Sequence, residues 1–334
     1  MALTSPAMIG TAFWSWAYAV TNGEQKNLAA RFTAKLLRPP IRLARSVTSD
    51  PIIKLRVGNR TLLITWSHHL PMLLRYCPHY ETEIGRLATH LSGTEGDLLM
   101  IDVGANVGDT IATLPALDRA KFLCIEGSQK FHDLLRQNYG SDPRVRLVFA
   151  LLTDISHQSD GLKLLEVDGT AHLVASEIPS TGAPLLTLDA VLEENSDFKN
   201  ANFLKIDVDG YDLLVLRGAA ELLRRSKPCL HIELGARLWR DCGNCSLDDG
   251  LAFLSDFGYR EVLVYDNVGS LIGRDRTENP TFLRAFWDYA MRNPSRLYLN
   301  IIAFHESRKD IETFYGAEAS EAALPSGAGG SSGR

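Results

Sequence analysis

Thirteen residues, Leu98-Leu-Met-Ile-Asp-Val-Gly-Ala-Asn-Val-Gly-Asp-Thr110, carry the first chemical signal in this chain. An apolar run ends in Asp102, Gly104 and Gly108 bracket a turn, and a helix-like pattern follows. Glycine lets backbone approach a ligand closely, because it has no Cβ and tolerates positive φ. In an open α/β sheet, ligands bind at the carboxyl ends of the strands. Glu126, 22 residues past Gly104, ends the next apolar run and is placed to accept hydrogen bonds from ribose hydroxyls. Asp102 sits under the turn, either fixing backbone N–H groups or meeting a ligand amine. The spacing Gly104-Ala-Asn-Val-Gly108 lacks the third glycine and the basic anchor that a pyrophosphate needs. A nucleoside with a short zwitterionic arm fits better, and S-adenosylmethionine has that shape.

Further carboxylates lie at two later strand ends. Asp207 and Asp209 close Phe203-Leu-Lys-Ile-Asp-Val-Asp-Gly-Tyr-Asp212 and share a side while the chain stays extended. Such a pair can orient an amine, bind a metal or act as a base. Asp209 equally suits a helix N-cap. His231 and Glu233 share a side of the following strand, as a base with its orienter or as a satisfied polar pair. Cys242-Gly-Asn-Cys245 has no second pair at zinc spacing, so no metal site is expected there. His68-His69 either enter a substrate pocket or lie on the surface.

The elements that must position these groups follow from periodicity. Strands are expected at Leu98–Val103, Phe122–Glu126, Val145–Leu152, Asn202–Val208, Cys229–Leu234, Glu261–Tyr265 and Arg296–Phe304. Helices are expected from about Asn106, after caps at Ser128, Thr187 and Ser246, and over Tyr211–Leu223. Asp168-Gly169 marks a hairpin. Alternating strands and helices imply a doubly wound, mostly parallel sheet. The last two strands, with no long helix foreseen between them, suggest an antiparallel edge.

The 334 residues are 45% hydrophobic and 22% charged, ordinary for a globular chain. A net charge of −5 gives no reason to expect a nucleic-acid partner. Residues 1–60 nevertheless hold nine Lys/Arg against two acids, leaving −12 on the remainder. Arg31, Lys35, Arg38, Arg42 and Arg45 recur every three or four residues, with Leu28, Phe32 and Leu36 on another face. That pattern reads as a surface for anionic lipid or an acidic partner, or as a solvated basic helix. Pro39-Pro40 is expected to interrupt any helix there.

Ala7–Val20 is apolar but too short to span a bilayer, and no basic residues precede it as they would in a signal peptide. Ala17-Tyr-Ala19 mimics a cleavage site. Five cysteines, two of them within apolar runs, point to a reducing compartment and a cytoplasmic protein, with the membrane surface open to residues 1–60. The expected divisions are a basic extension (1–60), a lead-in that could cap a substrate (61–95), the main domain (96–315) and a disordered tail (316–334).

Taken together, Ile64-Thr-Trp-Ser-His-His-Leu-Pro71, Ile101–Asp109, Ile125-Glu126, Thr187-Leu-Asp189, Lys205–Ala219 and Pro228–Glu233 resemble the FkbM-type methyltransferases, over roughly residues 61–305. The resemblance implies a class I (Rossmann-like) methyltransferase. Its doubly wound α/β sheet would be mostly parallel and seven-stranded, in the order 3-2-1-4-5-7-6, with an antiparallel last strand. It implies O-methylation from S-adenosylmethionine, on a small-molecule or glycan acceptor such as a sugar or polyketide-like product. On that basis Asp102, Gly104, Asn106 and Gly108 would line the methionine arm, Glu126 the ribose, and Asp154 the adenine side. The expected base is Asp207, or His231 held by Glu233. Two departures stand out: Glu126-Gly127 replaces the usual Glu-Pro, and Asp207-Val-Asp-Gly210 the usual Asp-Val-Glu-Gly. A nicotinamide oxidoreductase and a non-catalytic module at a membrane are the competing readings.

Overall fold

Two apolar layers alternate along every central strand and define the architecture. A computed structural model describes residues 6–22, 28–46, 50–77, 79–157, 162–167, 170–175, 182–293 and 297–322. The chain opens with helices α1 (Pro6–Asn22) and α2 (Leu28–Ser46), a hairpin of β1 (Ile52–Val57) and β2 (Arg60–Thr65), and helices α3 (Leu70–Tyr76) and α4 (Thr82–Glu95). The βα alternation then begins: β3 (Leu98–Val103), α5 (Asp109–Thr113), β4 (Ala120–Glu126), α6 (Gln129–Tyr139) and β5 (Val145–Phe149). A peripheral segment holds the short β6 (Leu151–Leu152), the hairpin β7 (Leu162–Val167) and β8 (Thr170–Ala175), and the short β9 (Leu185–Leu186). The second half runs α7 (Leu188–Glu194), β10 (Phe203–Ile206), α8 (Asp212–Arg217), α9 (Ala220–Ser226), β11 (Cys229–Gly235), α10 (Ala236–Asp241) and α11 (Leu247–Asp256). It closes with β12 (Tyr259–Tyr265), β13 (Leu271–Arg276), α12 (Phe282–Arg292), β14 (Tyr298–His305) and α13 (Ile311–Ala322).

The main sheet has the order β5-β4-β3-β10-β11-β14-β12-β13. Its first five strands are parallel, and β14 runs antiparallel to both β11 and β12. Side chains alternate between two cores. Ile101, Val103, Leu123, Ile125, Leu204 and Ile206 face α7 to α12. Leu98, Met100, Phe122, Cys124 and Phe203 face the β1–β2 hairpin with α4, α6 and α13. Both faces are covered, as a parallel sheet requires.

Five expectations need correction. The seven-strand order is present, but β13 pairs with β12 and makes an eighth strand. Strand β14 inserts antiparallel between β11 and β12, as that order places it, but the 11-residue α12 lies between the closing strands, where no long helix was expected. The helix expected over Tyr211–Leu223 breaks into α8 and α9 at Gly218, where a Cβ would collide with the Thr153 carbonyl and where Gly218 O accepts from Asp189 N (2.9 Å). Helix α2 continues through Pro39-Pro40; burial of Ala34 before the prolines and Ile41 after them anchors both halves. The tail expected from Gly316 is helical to Ala322, and Glu318 of that helix is buried against Arg86 (2.6 Å). Residues 323–334 lie outside the described residues.

Capping follows the sequence closely. Ser128 and Thr187 accept from Phe131 N (3.3 Å) and Ala190 N (3.1 Å), and Ser246 forms a capping box with Asp249. Asp189 does more than face its own helix dipole: its carboxylate accepts from Glu221 N (2.9 Å) and Leu222 N (3.1 Å), capping α9. We expect Asp189→Ala to lower stability by about 1–2 kcal/mol in urea denaturation. An unchanged midpoint and slope would show that this cap contributes nothing.

Candidate active site

The carboxyl ends of β3, β4 and β10 lie side by side, with β11 running on beside them, and a cavity of about 370 Å³ opens there, within the size range of small-molecule sites. Two chemically different ends meet in it.

One end is apolar around a single carboxylate. Ile125, Phe131, Ala150, Leu151 and Leu152 form its wall, and Glu126 stands at the tip of β4. Glu126 Oε2 accepts from Asn106 N (2.8 Å) and Oε1 from Ser128 N (2.7 Å). Each oxygen retains accepting capacity. Burial pushes this carboxyl up to about 7, against the pull of the backbone donors at Ser128 and Asn106. The turn that supplies Asn106 depends on two glycines with positive φ, Gly104 (+80°) and Gly108 (+85°). A Cβ on Gly104 would strike the Asp207 carbonyl oxygen, and one on Gly108 the Tyr139 ring.

The other end is acidic. Glu81, Asp109, Asp207, Asp209 and Glu233 line it with Tyr80, Tyr211 and Tyr298. Lys205, 2% exposed, is the counter-charge, its Nζ 3.2 Å from Asp102 Oδ1 and 3.4 Å from Asp207 Oδ2. Burial alone would lower the Lys205 pKa, but Asp102, Asp207, Glu81 and Asp109 together raise it well above the ordinary lysine value. Burial, then repulsion from Asp207, Asp209 and Asp212, raises Glu233 well above the usual carboxyl range. Glu81 is pushed up to about 8, by burial first and with Asp109 and Asp207 adding to it. Asp212 accepts from Gly210 N (3.1 Å) and shapes the turn that presents Asp207 and Asp209.

The roof is the start of α3. His68, His69, Leu70, Met72 and Leu73 all line the cavity. His68 Nε2 lies 3.3 Å from Asn106 Oδ1 and its Nδ1 accepts from Leu70 N (3.1 Å). Burial lowers its pKa and favours the neutral ring.

Of the residues singled out from sequence, Gly104, Asn106, Glu126, Asp207, Asp209 and Glu233 come together on the lining, and both histidines join them. Asp209 (φ +51°) lies outside α8, which Tyr211 caps. Four others stand apart from the lining. Asp102 is fully buried beneath it, paired with Lys205. Gly108 packs on Tyr139, whose hydroxyl donates to the Gly108 carbonyl (2.7 Å). Asp154 accepts from Ser156 Oγ (2.8 Å). His231 is not held by Glu233: its Nε2 meets Glu83 Oε1 of α4 (3.1 Å), which also accepts from Asn300 (3.2 Å). Strand register explains this, since His231 aligns with Lys205 and Asp102, one pair below the strand tips.

Sequence reasoning missed Lys205, Glu81, Tyr80 and Tyr298. Lys205 had a signal, for it shares strand parity with Asp207. The other three reach the site through long-range packing and had none. Cys242 and Cys245 are not disulfide-bonded and lie away from the lining. No group of three or more metal-binding side chains occurs among the described residues.

The sheet order is the one that the resemblance implies for a class I methyltransferase fold. Residues 102–261 match the family model described as the methyltransferase FkbM domain. The matched segment is similar to that family over just under half of the chain. No curated protein matches it in sequence. Among solved structures it is similar to the methyltransferase FkbM from Methylobacillus flagellatus KT, at 16% identity and TM-score 0.34 over 62% of this chain. It spans 44% of that protein. It is also similar to the O-methyltransferase from Bacillus cereus in complex with SAH (16% identity, TM-score 0.33, 66% of this chain and 80% of that one). M. jannaschii TYW2 in complex with AdoMet is matched at 8% identity and TM-score 0.37, over 77% and 86% of the two chains.

Ionising Glu81 inside the fold is unfavourable, so its contribution to stability is whole below its ordinary pKa of 4.5 and is lost as pH rises through about 8. The melting temperature of ligand-free protein should therefore fall across that window, and Glu81→Gln should flatten the fall. Parallel curves for the two proteins would contradict the assignment.

Proposed function

We propose that this chain is an O-methyltransferase that moves the methyl group of S-adenosylmethionine to a hydroxyl of a sugar, glycan or natural product. The observation that carries this reading is the pairing, in one cavity, of an apolar end built around Glu126 with an end holding five more carboxylates. The residues present fit the cofactor. Glu126 keeps accepting capacity for a ribose hydroxyl beside its backbone donors, and Ile125, Phe131, Leu151 and Leu152 offer apolar walls to adenine. The acidic surround suits a ligand that carries both a sulfonium and an ammonium. It does not suit a dinucleotide: among the described lining residues Lys205 is the one permanent cation, and it is already shared by two aspartates. A pyrophosphate would meet net repulsion, which disfavours a nicotinamide oxidoreductase.

When bound, S-adenosylmethionine supplies an electrophilic methyl, and positioning accounts for much of the rate. The chain's own residues hold the acceptor and take its proton. Asp207 faces both the cavity and Lys205, while Glu233 keeps its own proton under the repulsion of its neighbours. Of the pair, Asp207 is then the group able to accept the hydroxyl proton, with Glu233 a hydrogen-bond donor beside it.

We expect Asp207→Asn to lower turnover by about 10²–10⁴-fold while S-adenosylhomocysteine affinity stays within about twofold. Turnover is read as labelled product from small-molecule extracts given methyl-labelled cofactor. Glu126→Ala should instead weaken S-adenosylhomocysteine binding by at least about tenfold in calorimetry. Heat with NADH and none with S-adenosylhomocysteine would overturn the reading.

A further inference from the structure

Helices α1 and α2 are fastened to the rest of the protein, yet they present apolar side chains outward. On α1, Trp14 and Tyr18 pack edge-on against Trp66, with centroids 5.9 and 5.0 Å away, and Ser15 Oγ accepts from Lys54 N (2.8 Å). Phe13 and Trp16 of the same helix are 46% and 48% exposed. On α2, Ala34 and Ile41 are buried, while Phe32, Leu36 and Leu43 are 65%, 60% and 71% exposed. Spaced i, i+4 and i+11, those three fall within about 40° of arc on an ideal helix. Arg31, Lys35 and Arg38 flank the stripe and are exposed, and Arg42 and Arg45 continue their spacing in sequence. Neither helix contains an acid.

The same surface reaches the cavity. Arg38 donates to Thr21 O (3.0 Å) and Arg75 to Asn22 O (2.9 Å), so α2 and α3 converge on the C-terminal end of α1. Helix α3 adds exposed Tyr76 and Met72, and Met72 also lines the cavity.

A solvated helix would carry polar residues at positions 32, 36 and 43, and a core helix would bury them. Single exposed apolar residues need no partner, but an apolar stripe beside a row of cations does. A second copy would bring like charges together. An anionic bilayer satisfies both features, taking the apolar side chains at the acyl boundary and the cations at its headgroups. No helix among the described residues is long and apolar enough to cross a membrane. The acidic remainder of the chain would also turn the basic end toward such a surface. We propose that α1, α2 and the exposed side of α3 form a docking face for an anionic phospholipid bilayer, setting the mouth of the cavity at the lipid–water interface. The consequence that acceptor hydroxyls are reached from that interface rests on the methyltransferase reading; the docking itself does not.

The test is flotation of the full chain with phosphatidylcholine vesicles and with phosphatidylcholine–phosphatidylglycerol vesicles, comparing wild type, R31E/K35E and F32S/L36S/L43S. Wild type should float with the anionic vesicles alone, less at high salt. R31E/K35E should lower partitioning on the order of a hundredfold, and the triple variant should abolish flotation. Calorimetry with S-adenosylhomocysteine should give equal affinities for all three, which shows that the variants are folded. Absence of wild-type flotation, equal flotation of the variants, or a wild-type dimer that the triple variant converts to monomer would each overturn the docking proposal. Failure of wild type to bind S-adenosylhomocysteine would instead remove the methyltransferase reading, with flotation still deciding the docking.

Discussion

A buried ammonium fixes the geometry of this site. Lys205 lies at the same sheet level as Asp102 and His231, on strands whose register leaves no freedom to slide, because each buries side chains on both faces. An isolated charge there would be strongly unfavourable. Asp102 below and Asp207 above compensate it, and the backbone bond from Asp207 N to Val103 O (3.1 Å) holds the upper carboxylate at the tip of β10. The surrounding carboxylates then respond. Glu233 and Glu81 take raised pKa values, which limits the negative charge the cavity must hold. Pushing apart the pKa values of neighbouring acids is a way to assign them different roles in one site.

The two ends of the cavity are built from different ranges of sequence, and this decided what could be read in advance. The Glu126 end is local. Its strand, glycine turn and Ser128 cap lie within about 30 residues and obey short-range rules, so Gly104 and Glu126 stand out in the sequence, while Asn106 enters only through the family resemblance. The acidic end is assembled from β10, β11, β14 and the segment before α4. Glu81 has positive φ (+54°) at the start of α4, a conformation no sequence pattern announced. His231 was misassigned because its partner Glu83 is 148 residues away, while Glu233 is two. Parity along a strand identifies residues on one side; it does not say how far up the sheet each one stands.

The fold was legible where apolar periodicity was strong. It was less legible where charge obscured it. Strand β13, Leu-Ile-Gly-Arg-Asp-Arg, reads as loop, yet Arg274 and Arg276 pair with Glu261 across the edge of the sheet. Charges on an exposed edge strand also protect it from pairing with other chains. The α8–α9 break needed knowledge of neighbours, since the Thr153 carbonyl and Asp189 N make Gly218 a point of contact. In α2, tertiary burial on both sides of the prolines overrode a local rule that is usually decisive.

A double-mutant cycle on Lys205 and Asp102, measured by equilibrium denaturation, tests this electrostatic core most directly. Lys205→Met and Asp102→Asn should each destabilise by about 3–5 kcal/mol, the first because it strips buried Asp102 of its counter-charge, the second because it leaves buried Lys205 only the partly exposed Asp207. The double variant should be less damaged than the sum, with a coupling of at least about 2 kcal/mol. Additive losses would mean that the two groups do not sense each other, and that the site is held in place by something other than this buried pair.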